Sequence, residues 1–131
     1  MQIAVDVMVS RSARVFPFPP TARLLKHADF DRVYREGRRH YSANMAVFFL
    51  PRQSGTGPRV GFTVGRAAGG AVTRNRIRRR LREAVRLHLG QLAGPIDIVI
   101  NPKRSVLTAD FAELCAEVAR AFEKISGSGR R

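Results

Sequence analysis

The stretch RVGFTVGRAAGGAVTRNRIRRRLREAVRLHLGQLAGPIDIVI, residues 59–100, decides the fold. It opens with a strand, Arg59 to Val64, in which Val60, Phe62 and Val64 fall on one side and Gly61 and Thr63 on the other. Strand side chains alternate between faces. The small residues on the second side allow a ligand or another backbone to come close. The stretch closes with a second strand, Ile96 to Ile100, bounded by Gly94-Pro95 and Asn101-Pro102. Between them the period changes to that of a helix. Ile77, Leu81, Ala84, Val85 and His88 recur on one face, while Arg79, Arg82 and Arg86 take the opposite face. Arg78 and Arg80 flank the apolar stripe. Thr73 is the expected cap and Gly90 the expected stop. Gly65 to Gly70, GRAAGG, reads as a flexible connection; it fits neither a phosphate loop nor a dinucleotide fingerprint.

Working outward, Ala43 to Leu50 reads as a strand apolar on both faces, with Met45, Val47 and Phe49 opposed to Ala46, Phe48 and Leu50. One face packs the core; the other must be covered or used. Residues 51–58 are a turn rich in Gly, Ser and Pro. Upstream, Asp29 can cap a short helix bearing Phe30, Val33 and Tyr34, which Gly37 can end. A last helix from about Thr108 carries Phe111, Leu114, Cys115, Val118, Phe122 and Ile125 on one face. The element order is helix, strand, strand, helix, strand, helix: an α+β chain in which helices pack on a sheet of three strands or slightly more. Residues 1–22 read as a flexible extension, extended around Phe16 to Pro20, residues 23–125 as the domain, and residues 126–131 as a basic tail.

Charge limits the function. Seven arginines and one acid occupy residues 74–86, and the whole chain carries +14 over 131 residues. A solvated helix face interleaves acids with bases, and this one does not. Like charges crowded on one face repel, and a polyanion relieves the repulsion. Guanidinium is planar, always charged and matched to phosphate by paired hydrogen bonds. No apolar run approaches the ~20 residues of a membrane span, and the arginine helix lacks a broad apolar face for lying in a membrane interface. The ten acids form no evident cluster for metal-assisted hydrolysis. His27, His40, His88 and Cys115 show no metal-ligand spacing. The single cysteine excludes an internal disulfide and fits a reducing cytoplasm. Phe30 and Tyr34, among Arg32, Arg35, Arg38 and Arg39, suit base stacking flanked by phosphate contacts. They suit a protein core equally, and the segment alone does not decide.

Taken together, Arg59-Val60-Gly61-Phe62-Thr63-Val64, Gly70-Ala71-Val72, Arg74-Asn75-Arg76-Ile77-Arg78-Arg79 and the following Arg82-Glu83 resemble the protein subunit of bacterial ribonuclease P. Arg23-Leu24, Asp29-Phe30, Val33-Tyr34, Gly37, Ile98-Val99-Ile100 and Arg104 extend the resemblance over about residues 23–125. It implies an α/β sandwich, α-β-β-α-β-α, like the second domain of ribosomal protein S5. Its βαβ crossover would be left-handed, against a general rule of about 98% right-handed. It implies a binding subunit of a ribonucleoprotein that removes the 5′ leader of precursor transfer RNA. There the RNA subunit is the catalyst and Mg2+ is bound mainly by RNA and substrate. Arg74, Asn75, Arg76, Arg78, Arg79 and Arg82 would meet the catalytic RNA. Phe30, Tyr34, Phe48 and Arg66 would meet the leader. No catalytic or metal-binding residue, no membrane and no obligate protein partner is expected. Where family members often carry Ser-Lys-Lys, this chain has Gly65-Arg66-Ala67, and residues 1–22 exceed the usual amino terminus; Phe16 and Phe18 could plug the leader cleft. The alternative is a general RNA-binding or ribosome-associated module with no nuclease role.

Overall fold

The computed structural model describes residues 5–7, 24, 26–55 and 57–128. Its elements are β1 (Val5–Val7), α1 (His27–Glu36), β2 (Arg38–Tyr41), β3 (Met45–Pro51), β4 (Pro58–Thr63), α2 (Ala71–His88), β5 (Ile96–Pro102) and α3 (Phe111–Ser128). Five strands form one sheet in the order β1-β4-β5-β3-β2. β4 and β5 run parallel, joined through α2, as the crossover reading requires; the other pairs are antiparallel. The sheet exceeds the core expectation by two outer strands. β2 consists of Arg-Arg-His-Tyr and, among the described residues, pairs only with β3. β1 comes from the segment read as an extension and pairs with β4, Val7 opposite Gly61. Phe16 and Phe18 lie outside the described residues.

Alternation along the strands divides the molecule. Met45, Val47, Phe49, Val60, Phe62, Ile98 and Ile100 join Ile77, Leu81 and Val85 of α2 and Leu114, Val118 and Phe122 of α3 in the main core. The opposite face packs Val99 against Leu24, Phe30 and Val33, with Tyr34, Phe48 and Leu50 half-buried beside them. α1 thus lies on one side of the sheet and α2 and α3 on the other. The second apolar face of β3 is partly covered by α1 and partly open.

Several boundaries differ from the sequence reading for local reasons. Helix α2 starts at Ala71 behind Gly70, with no side-chain cap, so Thr73 lies in its first turn. Asp29 likewise sits inside α1, which begins after Lys26; its carboxylate pairs with Arg32 and Arg59. Gly37 does end α1, at an extended φ of −82°. A Cβ there would come within 2.5 Å of the Val33 carbonyl oxygen and 2.6 Å of the Phe49 carbonyl oxygen, so closeness to β3 selects glycine. The GRAAGG segment holds a 3₁₀ turn, Arg66–Ala68, rather than a loose connection. Arg104 Nη1 donates to the Ala68 carbonyl at 2.8 Å, and Arg74 Nη1 to the Gly69 carbonyl at 3.2 Å. α3 continues through Ser128, so the start of the expected basic tail is helical.

Candidate RNA-binding surfaces

On α2 the buried residues are Ile77, Leu81, Ala84 and Val85, which turns Asn75, Arg76 and Arg79 fully outward. Arg74, Arg78 and Arg82 are half-buried at its margins. Arg78 donates to the Asn75 side-chain oxygen, which aligns the guanidinium along the helix. Arg80 is turned inward and donates to the Val106 carbonyl, fixing the loop before α3. Arg86 pairs with Glu83, and this bond holds the Glu83 carboxyl below its ordinary range. The arginine run therefore splits. Arg80 and, in part, Arg74 hold loops in place, while Arg76 and Arg79 project into solvent from a packed helix. The six residues expected to meet the catalytic RNA lie within nine positions of one helix. The uncapped amide groups at its amino end add positive potential.

Across the sheet, α1 lies over β3 and β5. Its position is set at Gly61. A Cβ there would stand 2.4 Å from Phe30 Cζ, so the missing side chain lets the ring seat against β4. The close neighbour that the small side of β4 accommodates is thus α1 itself. Phe30 is 1% exposed, a core residue with no ring face for a base. Tyr34, one turn later, reaches the rim. Its hydroxyl oxygen is 2.8 Å from both Thr63 Oγ1 and Asn101 Oδ1. The phenol proton serves one contact and the threonine proton can serve the other. Burial pushes the Tyr34 phenol above 10.0, and these hydrogen bonds oppose the shift. The Tyr34 ring meets Phe48 edge-on, with centroids 5.0 Å apart and planes at 77°. That geometry favours an aromatic pair, and both rings keep exposed surface. Arg66 is exposed on the 3₁₀ turn just past the end of β4 that carries Thr63. Of the four expected leader residues, Tyr34 and Phe48 come together, Arg66 stands beyond the end of β4, and Phe30 supports from beneath.

One cluster was not anticipated. Asp97, the second residue of the apolar strand β5, is 0% exposed. Arg59 grips it with two bonds of 2.8 Å and Arg52 with one of 2.8 Å, while Arg32 of α1 stands 3.8 Å away. A carboxylate buried this deeply requires such partners. The Asp97 contact raises the pKa of Arg59. Through Asp29, Arg32 and Arg59 the cluster also ties α1 to the sheet. A second unanticipated acid, Glu117, is buried on α3. It accepts from Ser42 Oγ at 2.6 Å, from the Asn44 backbone N–H at 3.0 Å and from the Asn44 side-chain amide. Each acid sits alone in an apolar run, and only the fold brings its donors to it. Among the described residues no group of three His, Cys, Asp or Glu side chains could hold a metal ion. Cys115 is half-buried, and burial raises its pKa.

Comparison with known proteins converges on one family. Residues 18–126 match the family described as Ribonuclease P. The "Ribonuclease P protein component" of Acidothermus cellulolyticus is 39% identical over 109 residues, covering 82% of this chain and 91% of that protein. The component from Symbiobacterium thermophilum is 41% identical over 102 residues, covering 78% and 89%. Among solved structures, the RNase P protein from Thermotoga maritima superposes with a TM-score of 0.69 at 25% identity, covering 77% of this chain and 94% of that one. The Staphylococcus aureus RNase P protein gives 0.66 at 24% identity, covering 78% and 92%, a likeness of fold alone.

Proposed function

The chain belongs to the ribonuclease P protein family, and on that premise we propose how its two surfaces divide the work. It is the protein subunit of the ribonuclease P ribonucleoprotein, which matures the 5′ end of transfer RNA. The outward arginines of α2 bind the catalytic RNA, and the cleft between α1 and the sheet binds the precursor's leader. A cytoplasmic location accords with that role. The observation that carries the division is the placement of the two surfaces on opposite faces of one sheet. An arginine face without aromatics suits folded RNA, which is recognised through shape and phosphates. The paired, half-exposed rings of Tyr34 and Phe48 suit unpaired bases, where stacking contributes about 1–3 kcal/mol per base and tolerates any sequence. Leaders differ from one transfer RNA to the next, so a tolerant grip is what the substrate demands.

Within this chain the roles are binding and alignment. Asn75, Arg76, Arg78, Arg79 and Arg82 contact RNA phosphates, and Arg74 joins them while bracing the turn before α2. Phe30 sets the position of α1, Thr63 and Asn101 fix the Tyr34 phenol, and Arg66 offers a charge near the cleft mouth. The magnesium ions belong to RNA and substrate in this reading, and no step runs through a metal held by this chain. Bringing so many positive charges to one place lowers the repulsion between two RNAs.

The test is cleavage of precursor transfer RNA at low magnesium by the protein alone, by a bacterial ribonuclease P RNA alone, and by both. Release of the intact leader only with both components supports the proposal. No gain over the RNA alone favours a general RNA-binding module, and cleavage by the protein alone overturns the assignment of chemistry to RNA.

A further inference from the structure

The leader cleft does not end at Phe48. Strand pairing sets Arg39 directly opposite Phe48 and Tyr41 opposite Ala46. Paired residues share a face, so Arg39 and Tyr41 stand on the cleft side of β2. α1 packs over β5 and part of β3, with Phe30 seated on Gly61 of β4 and Tyr34 reaching Thr63 and Asn101. Beyond that cover, Ala46 and Phe48 of β3 keep partial exposure and β2 is mostly exposed. The floor there is Ala46, a small residue between two aromatic positions. Tyr41 is 63% exposed, among the few large apolar side chains the described residues leave in solvent. Such a ring would ordinarily be expected against other apolar surface. Here its hydroxyl instead accepts a hydrogen bond from Arg39 Nη1 at 3.2 Å, which holds the pair side by side. Arg39 is exposed and makes no ion pair with a carboxylate among the described residues, whereas Arg32, Arg52 and Arg59 are committed to Asp29 or Asp97.

We propose that Arg39 and Tyr41 on β2 form a further nucleotide subsite, which extends the leader-binding surface from Phe48 across the sheet edge. Tyr41 stacks one unpaired base and Arg39 takes the adjoining phosphate. The spacing suits this. Phe48 and Tyr41 are diagonal neighbours across a strand pair, about 7–8 Å apart at the backbone, so bases on the two rings can belong to consecutive or nearly consecutive nucleotides of an extended strand. The occupant is RNA because the patch is continuous with the Tyr34–Phe48 pair and joins an aromatic ring to a guanidinium that has no carboxylate partner among the described residues, the combination that binds single strands without reading sequence. The inference rests on the leader reading of the cleft.

The test uses the reconstituted holoenzyme and a series of precursors identical except for leaders of increasing length, with mature transfer RNA as reference. Tyr41→Ala should weaken binding on the order of five- to tenfold once the leader is long enough to cross β2. Shorter leaders and mature transfer RNA should bind as before. Tyr41→Phe should retain the affinity, since it keeps the ring. Arg39→Ala should lower the salt dependence of long-leader binding alone. Phe48→Ala separates the two claims. If Phe48→Ala loses leader affinity and Tyr41→Ala does not at any length, the β2 subsite is wrong and the cleft stands. If neither variant responds to the leader, the leader reading of this face fails and takes the subsite with it.

Discussion

Replacing Gly61 with alanine tests how the cleft is built. The new Cβ would lie 2.4 Å from Phe30 Cζ, 3.0 Å from Phe30 Cε2 and 3.3 Å from Leu24 Cβ. Carbon atoms in contact sit at about 3.5–4.0 Å, so the ring must retreat by roughly 1 Å or more. Phe30 is 1% exposed and clustered with the buried Leu24, Val33 and Val99. The adjustment passes to α1 as a whole. Overpacking of this kind costs about 1–3 kcal/mol. For a chain of this size that corresponds to a fall in Tm of roughly 3–15 °C. Tyr34 follows Phe30 by one turn on the same face, so it moves with it. Its two 2.8 Å contacts to Thr63 and Asn101 would stretch beyond hydrogen-bonding range. The assay pairs thermal unfolding with holoenzyme binding of precursor and mature transfer RNA. Gly61→Ala should unfold at lower temperature and lose preference for the precursor, while affinity for the catalytic RNA through α2 is kept. Phe30→Leu replaces the ring with a shorter aliphatic side chain, so the double variant Gly61→Ala/Phe30→Leu should lose less than the sum of the single variants. Unchanged melting together with unchanged precursor preference would refute the claim that this contact positions α1.

Arg76→Ala with Arg79→Ala should weaken binding of the catalytic RNA and reduce the slope of log affinity against log salt by roughly 1.5–2, a phosphate contact for each guanidinium; an unchanged slope would place the contacts elsewhere. For Tyr34, burial raises the phenol above 10.0, so the folded state favours the protonated form. The stability from the docked phenol is therefore present below about pH 10 and lost as pH rises through the folded value. The stability difference between wild type and Tyr34→Phe, about 1 kcal/mol, should hold below about pH 10 and shrink as pH rises above it, and a constant difference would show that the docked phenol titrates as in the unfolded chain. Glu117→Ala leaves both Asn44 donors without their acceptor, while Ser42 Oγ keeps the Met45 carbonyl. It should cost at least about 2 kcal/mol, measured by urea denaturation, and native-like hydrogen-exchange protection of the Asn44 amide would contradict it.

The inner strands, the arginine helix and the final apolar helix were legible because each buries one face, and burial leaves a period in the sequence. The outer strands leave none. β2 is Arg-Arg-His-Tyr, mostly exposed, and becomes a strand only because β3 offers it a partner. Asp97 and Glu117 could be seen as acids in apolar runs, but their donors lie far along the chain. Arg59 is 38 residues from Asp97, and Asn44 is 73 from Glu117. Phe30 and Tyr34 share a helix face and a chemistry, yet only the close approach to Gly61 separates the buried ring from the usable one. The arginine run showed its charge without showing that Arg80 is spent on the Val106 carbonyl.

The sheet separates two contacts with different histories to answer to. Stacked sheet and helix layers stand about 10 Å apart, so a substitution in α1 or β2 has no direct reach to the arginines of α2. If α1 and β2 hold the leader as proposed, leader preference can drift, or be engineered, by exchanging them between relatives while the α2 surface is left intact.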